Sequence, residues 1–209
     1  MANDTLTARA PFTGLAFSSA RGQGVCVADR DGTGIASVLV RKGHLAELTQ
    51  CVRARYGIEL PRGPRRIGTG DIAFACTGPE TWLATSDARG NALALSLKEE
   101  IGAAACVADQ SSGYAILRMT GPRLRQTLAK MLPIDLHPRV FAPGDVASTT
   151  ASHVGVTLWR LEDATDGSPV FEIAVFRSLA GSFWHTLTVS AAEYGFVRQE
   201  TLSSPATPE

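Results

Sequence analysis

A repeated pattern constrains the fold of this chain more than any other feature of its sequence. A helix-like segment followed by Ile58–Pro61 (Ile-Glu-Leu-Pro) is matched by a second helix-like segment followed by Ile134–Pro138 (Ile-Asp-Leu-His-Pro). The motif Gly70–Ala73 then recurs as Gly144–Ala147. The offsets between the copies are 76 and 74 residues. Each half is therefore predicted to be a split β-α-β unit, and two such units can pack their sheets into one body with approximate twofold symmetry.

Hydrophobic periodicity predicts the elements of each half. Four amphipathic helices are predicted at His44–Tyr56, Asn91–Ile101, Arg123–Leu132 and Leu179–Tyr194. Strands rich in β-branched and aromatic residues are predicted at Ile35–Val40, Ile72–Cys76, Thr81–Thr85, Ala104–Ala108, Tyr114–Met119, Val154–Arg160 and Val170–Val175. Strands outnumber helices and occur in pairs between them. This order favours an α+β fold with antiparallel sheets over a doubly wound parallel sheet.

The ends of the chain differ in composition from its centre. Residues 1–24 lack a sustained period and are predicted to form an extended N-terminal arm. Residues 25–196 are predicted to form a single α+β domain of two halves, about 25–102 and 103–196. Residues 197–209 are rich in Ser, Thr and Pro and are predicted to be a C-terminal tail.

Charge and hydropathy exclude several classes of partner. Twenty basic residues balance twenty acidic residues, whereas a domain that binds phosphates of nucleic acid normally carries a basic excess. No run approaches the roughly 20 apolar residues of a membrane span. The first residues lack the basic and apolar regions of a secretory signal. We therefore expect no nucleic-acid or membrane partner and a cytoplasmic location.

The residue types that carry catalysis or bind metals are scattered. The cysteines Cys26, Cys51, Cys76 and Cys106 are 25, 25 and 30 residues apart, which fits neither a zinc site nor a redox pair. No phosphate-binding loop or nucleophile elbow is present, and Gly22-Gln23-Gly24 lacks the third glycine of a dinucleotide loop. The loop Asp29–Gly34 resembles the start of a calcium loop, but position 12 is Val40, so a tight turn between strands is favoured. We predict no catalytic, cofactor-binding or metal-binding residue on this chain.

Each of three side chains has two possible interpretations from the sequence. Asp135 is either a buried functional carboxylate or the cap of the turn after the third helix. His153 and His185 are either general bases or ordinary core or interface histidines.

Arginine is strongly preferred over lysine. The chain has 17 Arg and 3 Lys, and five of the arginines fall between Arg53 and Arg66. This Arg53–Arg66 segment is either a solvated loop in a chain with biased codon usage or part of a protein–protein interface.

Five segments of the second half form a distinctive set: Ala108–Tyr114, Leu117–Pro122, Pro133–Arg139, Ala151–Val156 and Val175–Trp184. Through these segments the chain resembles the γ subunit family of bacterial heterotetrameric sarcosine oxidase. The resemblance spans about Gly24 to Phe196 and is densest after Ala108. It implies a fold like the folate-binding domain of glycine-cleavage T-protein, which has two pseudo-repeated α+β halves.

The resemblance also implies a function and a set of partners. The family's αβγδ enzyme oxidatively demethylates sarcosine to glycine, with formation of hydrogen peroxide and 5,10-methylenetetrahydrofolate. FAD, FMN, NAD, tetrahydrofolate and zinc belong to the other subunits, and no cofactor is expected on this chain. The leading interpretation is thus a non-catalytic accessory subunit that binds the α, β and δ subunits. Trp184 and the Arg53–Arg66 segment are expected on its partner surface, and part of the N-terminal arm is expected to order on a neighbouring subunit.

Two alternatives remain open from the sequence. The first is a free-standing folate-binding protein or aminomethyltransferase relative, which would need an acidic residue in the cleft between the halves. Asp135 is the only candidate for that residue. The second is a structural protein that self-associates through the Arg53–Arg66 segment.

Overall fold

The computed structural model describes residues 9–15 and 22–199. The remainder of the predicted N-terminal arm and most of the predicted tail lie outside the described residues.

Each predicted helix contains an observed one. The helices are α1 (Leu45–Tyr56), α2 (Leu93–Ile101), α3 (Leu124–Ala129) and α4 (Ala180–Ala191). Helix α1 ends where Gly57 adopts the left-handed conformation (φ 67°) and donates its N–H to the carbonyl of Arg53. Among the described residues, none of the helices is long and apolar enough to cross a membrane.

The described strands form two sheets. They are β1 (Val25–Asp29), β2 (Gly34–Val40), β3 (Arg66–Gly68), β4 (Ala73–Gly78), β5 (Thr81–Ser86), β6 (Ala105–Asp109), β7 (Tyr114–Thr120), β8 (Val146–Ala151), β9 (Val154–Arg160), β10 (Val170–Phe176) and β11 (Phe196–Gln199). The five-stranded sheet has the order β3-β4-β5-β2-β6, and the six-stranded sheet has the order β11-β1-β7-β10-β9-β8. The α+β class is confirmed.

One expectation about strand direction is wrong. Strand β11 pairs with β1 in parallel, so the six-stranded sheet is mixed rather than antiparallel. The five-stranded sheet is antiparallel throughout. The parallel pairing arises because the chain continues past α4 and lays residues up to Gln199 along β1, which extends regular structure into the predicted tail.

The two sheets exchange a strand. The strands β3-β4-β5-β2 of the first half correspond in order to β8-β9-β10-β7 of the second half. Strand β6 lies next to β2, and β1 lies next to β7. Strand β1 therefore lies in the sheet formed mainly by the second half, and β6 lies in the sheet formed mainly by the first. The tight turn at Asp31 and Gly32 joins strands of different sheets, so it is not the turn of a hairpin. This crossing of the chain ties the two sheets together.

The strand order also shows which repeated motif marks equivalent positions. Ile58–Pro61 follows α1 and Ile134–Pro138 follows α3, at the same step in each half. In contrast, Gly70–Ala73 leads into β4, whereas Gly144–Ala147 leads into β8. The sheet orders make β8 the counterpart of β3, so the second motif does not mark equivalent strands.

Side-chain alternation divides the interior into three apolar clusters. Helices α1 and α2 cover the outer face of the five-stranded sheet, with Leu48, Val52, Leu93 and Leu97 against Phe74 and Trp82. Helices α3 and α4 cover the outer face of the six-stranded sheet, with Leu124, Leu128, Phe183 and Leu187 against Leu117 and Phe171. The inner faces meet through Ile35, Ala75, Leu83, Ile116, Val146, Trp159 and Ala174. The molecule is thus layered as helices, sheet, sheet, helices.

Part of the predicted N-terminal arm packs on the chain itself. Residues 11–14 form a turn, and Phe12 is fully buried. The Phe12 ring lies 5.7 Å from the ring of Trp184, and Arg198 donates a hydrogen bond of 2.8 Å to the Phe12 carbonyl. This turn therefore belongs to the core beneath α4 rather than to an extended arm.

Replacing Phe12 tests whether this docking stabilises the fold. We expect Phe12→Ala to lower the free energy of unfolding by about 3 kcal/mol, because it removes a fully buried ring and leaves a cavity against Trp184. The matched control is Phe176→Ala, where the ring is 49% exposed and the expected loss is under about 1 kcal/mol. Urea denaturation of the two variants measures the difference. Equal losses would show that Phe12 does not hold the turn in place.

Candidate functional site

A buried carboxylate lies between the two sheets. Glu172, in the middle of β10, is 2% exposed. Its Oε1 accepts hydrogen bonds from Arg118 Nε (2.8 Å) and Arg30 Nη1 (2.7 Å), and its Oε2 accepts one from Trp159 Nε1 (2.7 Å). A second Arg118 nitrogen lies 2.7 Å from Oε1. Both oxygens of Glu172 therefore accept hydrogen bonds, and two guanidinium groups face its charge.

Strand register places these groups together. Glu172 pairs with Arg118 on β7 and with Trp159 on β9, so the three side chains form one row on the inner face. The neighbouring positions along β10 are apolar, which leaves Glu172 as the charged group of a buried strand.

The inner face of the five-stranded sheet carries a different row of side chains. There Leu83 of β5 pairs with Ser37 of β2 and with Ala75 of β4. The counterpart of the charged row is thus small or apolar in β2, β4 and β5, and its charged member is Arg66 of β3, which pairs with Ala75.

Arg30 links this row to the other half of the chain. Its second terminal nitrogen forms an ion pair with Asp87, which directly follows β5. Thr33 donates a hydrogen bond of 2.6 Å to the other Asp87 oxygen. Burial alone would raise the pKa of Asp87, but the hydrogen bonds from Thr33 and Arg30 and the charge of Arg30 outweigh it and hold the pKa below its usual range.

A pocket of about 60 Å³, partly open to solvent, lies beside this network. We call it the inter-sheet pocket; its lining residues are Arg30, Arg66, Thr69–Ala73 and Thr85–Asp87. The guanidinium of Arg66 lies 5.8 Å from the centre of the Trp159 ring. Burial lowers the pKa of Arg66; Glu172 and Asp87 oppose that shift, and the positive charge of Arg30 adds to it.

Asp135 lies away from this pocket. It is exposed, and its Oδ1 accepts a hydrogen bond of 2.8 Å from the backbone N–H of His137. Of the two interpretations of Asp135, the cap of the turn is correct and the buried functional carboxylate is wrong.

The histidines and cysteines do not converge. His153 lies exposed in the β8–β9 turn, and His185 is exposed on α4. Among the described residues, no group of three or more His, Cys, Asp or Glu side chains is arranged to hold a metal ion. In the loop that resembles a calcium site, the Asp29 carboxylate instead pairs with Arg198 at 2.6 Å.

The partner surface expected from the sequence needs correction at one residue. Trp184 is 4% exposed and packs against Phe12 and Phe196, so it is a core residue and cannot anchor a partner. The Arg53–Arg66 segment is largely exposed, but several of its arginines form ion pairs within the chain. Arg53 pairs with Glu59 at 2.9 Å, Arg55 with Glu100 at 3.4 Å, and Arg65 with Asp145.

The sequence analysis did not predict that Glu172, Arg118 and Arg66 lie close together. A signal for the first two is present in the sequence: each is a single charge inside a long apolar strand, and the two charges have opposite signs. A buried charge is costly unless it is paired, so two such strands are expected to be neighbours.

Neutralising Glu172 tests the importance of the buried network. We expect Glu172→Gln to lower the free energy of unfolding by about 3 kcal/mol, because Arg118 and Arg30 would keep their charges with no carboxylate between the sheets. The control is Glu162→Gln, an exposed carboxylate on the β9–β10 loop, with an expected change under about 0.5 kcal/mol. Chemical denaturation measures both. A Glu172→Gln variant as stable as the control would contradict the structural role of the network.

Comparison with known proteins places this architecture in a family. Residues 36–193 match the model described as "Sarcosine oxidase, gamma subunit family". The chain is 32% identical over 130 residues to sarcosine oxidase subunit gamma of Arthrobacter sp., and 36% identical over 103 residues to that of Corynebacterium sp. strain P-1. These alignments cover 61% and 46% of this chain, and 61% and 50% of the two relatives. The chain thus spans less than two thirds of the length of the curated relatives it matches.

Solved structures show the same fold. A chain of heterotetrameric sarcosine oxidase from Corynebacterium sp. U-96 superposes with a TM-score of 0.75 at 22% identity, covering 94% of this chain and 98% of that one. Glycine cleavage system aminomethyltransferase T from Bartonella henselae superposes with a TM-score of 0.61 at 13% identity, covering 87% of this chain and 48% of that one. The T-protein-like fold expected from the sequence is confirmed. Because the family model covers well over half of its residues, the chain belongs to the sarcosine oxidase gamma subunit family.

Proposed function

We propose that this chain is a non-catalytic accessory subunit of a heterotetrameric sarcosine oxidase. The observation that carries the proposal is the family match over residues 36–193, which includes all four helices, strands β3 to β10 and most of β2. The partners are the α, β and δ subunits. They would hold FAD, FMN, NAD, tetrahydrofolate and zinc, and the assembly would demethylate sarcosine to glycine with formation of hydrogen peroxide and 5,10-methylenetetrahydrofolate.

The geometry of the buried network supports a structural role for the chain's most polar interior site. Both oxygens of Glu172 are occupied by donors from Arg30, Arg118 and Trp159. A carboxylate that is held in this way is a poor acceptor for a substrate proton, because a general base must first lose those hydrogen bonds. The network stabilises the contact between the sheets instead.

An exposed aromatic surface supports partner binding. Phe176 is 49% exposed and stacks on Tyr114 with 4.8 Å between ring centres. Leu179, also exposed, lies one turn further along the chain. We call Tyr114, Phe176 and Leu179 the Phe176 surface. Aromatic side chains of this kind are enriched in protein interfaces. A subunit that covered them would remove their apolar surface from water, which would favour binding.

The folate-binding or aminomethyltransferase alternative has less support. The likeness to T-protein concerns the fold. A pterin ring would need a carboxylate with free oxygens in the cleft. Asp87 already accepts hydrogen bonds on both oxygens, and Asp71 pairs with Arg89 at 2.9 Å. Asp135 lies elsewhere, at its turn.

The self-association alternative also has less support. It assigned the contact to the Arg53–Arg66 segment, where several arginines form ion pairs within the chain. Pairing of this kind reduces the charge that the segment can offer to a second copy.

Four free thiols support a cytoplasmic location for the proposed complex. Cys26, Cys51, Cys76 and Cys106 are unpaired in the structure. Free cysteines persist in reducing compartments.

Co-expression tests the accessory role. We expect the chain to co-purify with the α, β and δ subunits in a fixed ratio through high salt, because buried apolar contacts are poorly screened by ions. The chain alone is expected to produce no hydrogen peroxide from sarcosine at any folate concentration. A peroxide assay and size-exclusion chromatography measure these outcomes. Turnover of a methylamine by the chain alone, or its absence from the assembled complex, would contradict the proposal.

A matched pair of variants tests the Phe176 surface. We expect Phe176→Ala to weaken retention of the chain in the complex at least tenfold, since a central aromatic contact contributes about 1.4 kcal/mol or more. The control is Leu95→Ala, which removes a side chain that is 63% exposed on α2. Retention is measured by competition with the unmodified chain. A loss caused only by Leu95→Ala would place the contact on another face while leaving the accessory role intact.

A further inference from the structure

The guanidinium of Arg66 lies at the junction of the two sheets and forms no ion pair with any residue that the structure describes. The backbone N–H of Arg66 donates to the carbonyl of Gly144 at 2.7 Å, which fixes the residue at the start of β3. The side chain extends the inner row of the five-stranded sheet, because Arg66 pairs with Ala75 in the register. Within the part of the chain that the structure describes, Arg66 Nε is buried without a hydrogen-bond partner.

The charges around Arg66 do not balance. Three guanidinium groups meet here, from Arg30, Arg66 and Arg118, against the two carboxylates of Asp87 and Glu172. The hydrogen bonds that the two carboxylates accept come from donors other than Arg66. These five groups therefore carry one excess positive charge, and an unpaired charge is costly at Arg66 because its Nε is buried.

The inter-sheet pocket adjoins this excess charge. Arg30 and Arg66 line it together with Thr85 and Ser86, whose side chains are buried. Ser86 Oγ accepts the backbone N–H of Arg89, so its own hydrogen is free to be donated. A ligand in the pocket would thus meet guanidinium and hydroxyl donors on one wall.

The same pocket sets a limit on the ligand's charge. Asp71 and Asp87 also line it, and they would repel a dianion such as phosphate more strongly than a singly charged group. A carboxylate matches the single excess charge and the planar donor geometry of a guanidinium. We propose that the inter-sheet pocket binds a carboxylate, held by Arg66.

This carboxylate has two sources with the same chemistry. It is either a free small molecule or an acidic side chain of a partner subunit that enters the pocket. The second source rests on the proposed accessory function, and the first does not. The two are separated by testing the chain alone and in the assembled complex.

The first experiment uses the purified chain and sodium acetate, at ionic strength held constant with sodium chloride. We expect saturating acetate to raise the melting temperature of the unmodified chain by roughly 2 to 4 °C, because it binds the folded state only. Arg66→Met keeps an unbranched apolar side chain and removes the charge, so the melting temperature of this variant should not respond to acetate. Arg62→Met, an exposed arginine outside the pocket, should respond like the unmodified chain.

Stability in the absence of acetate provides a second measurement. We expect the denaturation midpoint of Arg66→Met to equal or exceed that of the unmodified chain, because the variant loses an unpaired buried charge. A residue that served only the fold would destabilise the chain when replaced. A clear fall in the midpoint would therefore contradict the proposal.

The second experiment measures retention of the variants in the co-purified complex. If the carboxylate is a partner's side chain, Arg66→Met should weaken retention at least tenfold, while Arg62→Met should not. Either this result or the selective acetate response supports the proposal. Neither response, an equal acetate response in Arg66→Met, or a stronger Arg66-dependent response to inorganic phosphate than to acetate would overturn it. Co-purification of the unmodified chain reports on the accessory function separately.

Discussion

The exchange of β1 and β6 between the sheets is the constraint on which the rest of the structure depends. Arg30 directly follows β1, so the exchanged strand carries this guanidinium to Glu172 in the six-stranded sheet. From the same position Arg30 also reaches Asp87 at the end of β5. The chain crossing and the ion pairs thus join the same two layers. Separating the sheets would break both the pairing of the exchanged strands and the ion pairs of Arg30.

Hydrophobic patterns were sufficient to predict the regular elements that face a core. All four helices and strands β2, β4–β7, β9 and β10 were predicted because their apolar side chains repeat with the period of the element, whereas β1, β3, β8 and β11 were not among the predicted strands. Strand β8 was missed because Ser148, Thr149 and Thr150 are consecutive polar residues at a sheet edge, which gives a weak apolar signal. Strand β3 has three residues and β11 has four, and both are too short to show a period.

The charged site was harder to predict than the fold. Glu172 and Arg118 stand out as single charges in apolar strands, but strand pairing is needed to bring them together. Arg66 belongs to an arginine-rich segment in which its neighbours are exposed, and nothing in the sequence separates it from them. Trp184 shows the opposite error, because a tryptophan beside exposed helix positions resembles an interface anchor until Phe12 is seen to cover it.

Under the proposed accessory function, the buried core positions the Phe176 surface for contact with other subunits. Amide hydrogen exchange of the chain, alone and in the co-purified complex, tests this most directly. We expect slow exchange in β7 and β10 in both states, and new protection of residues 176–179 on assembly, where the Phe176 surface is covered. Identical exchange in the two states would contradict a partner-binding role for this surface.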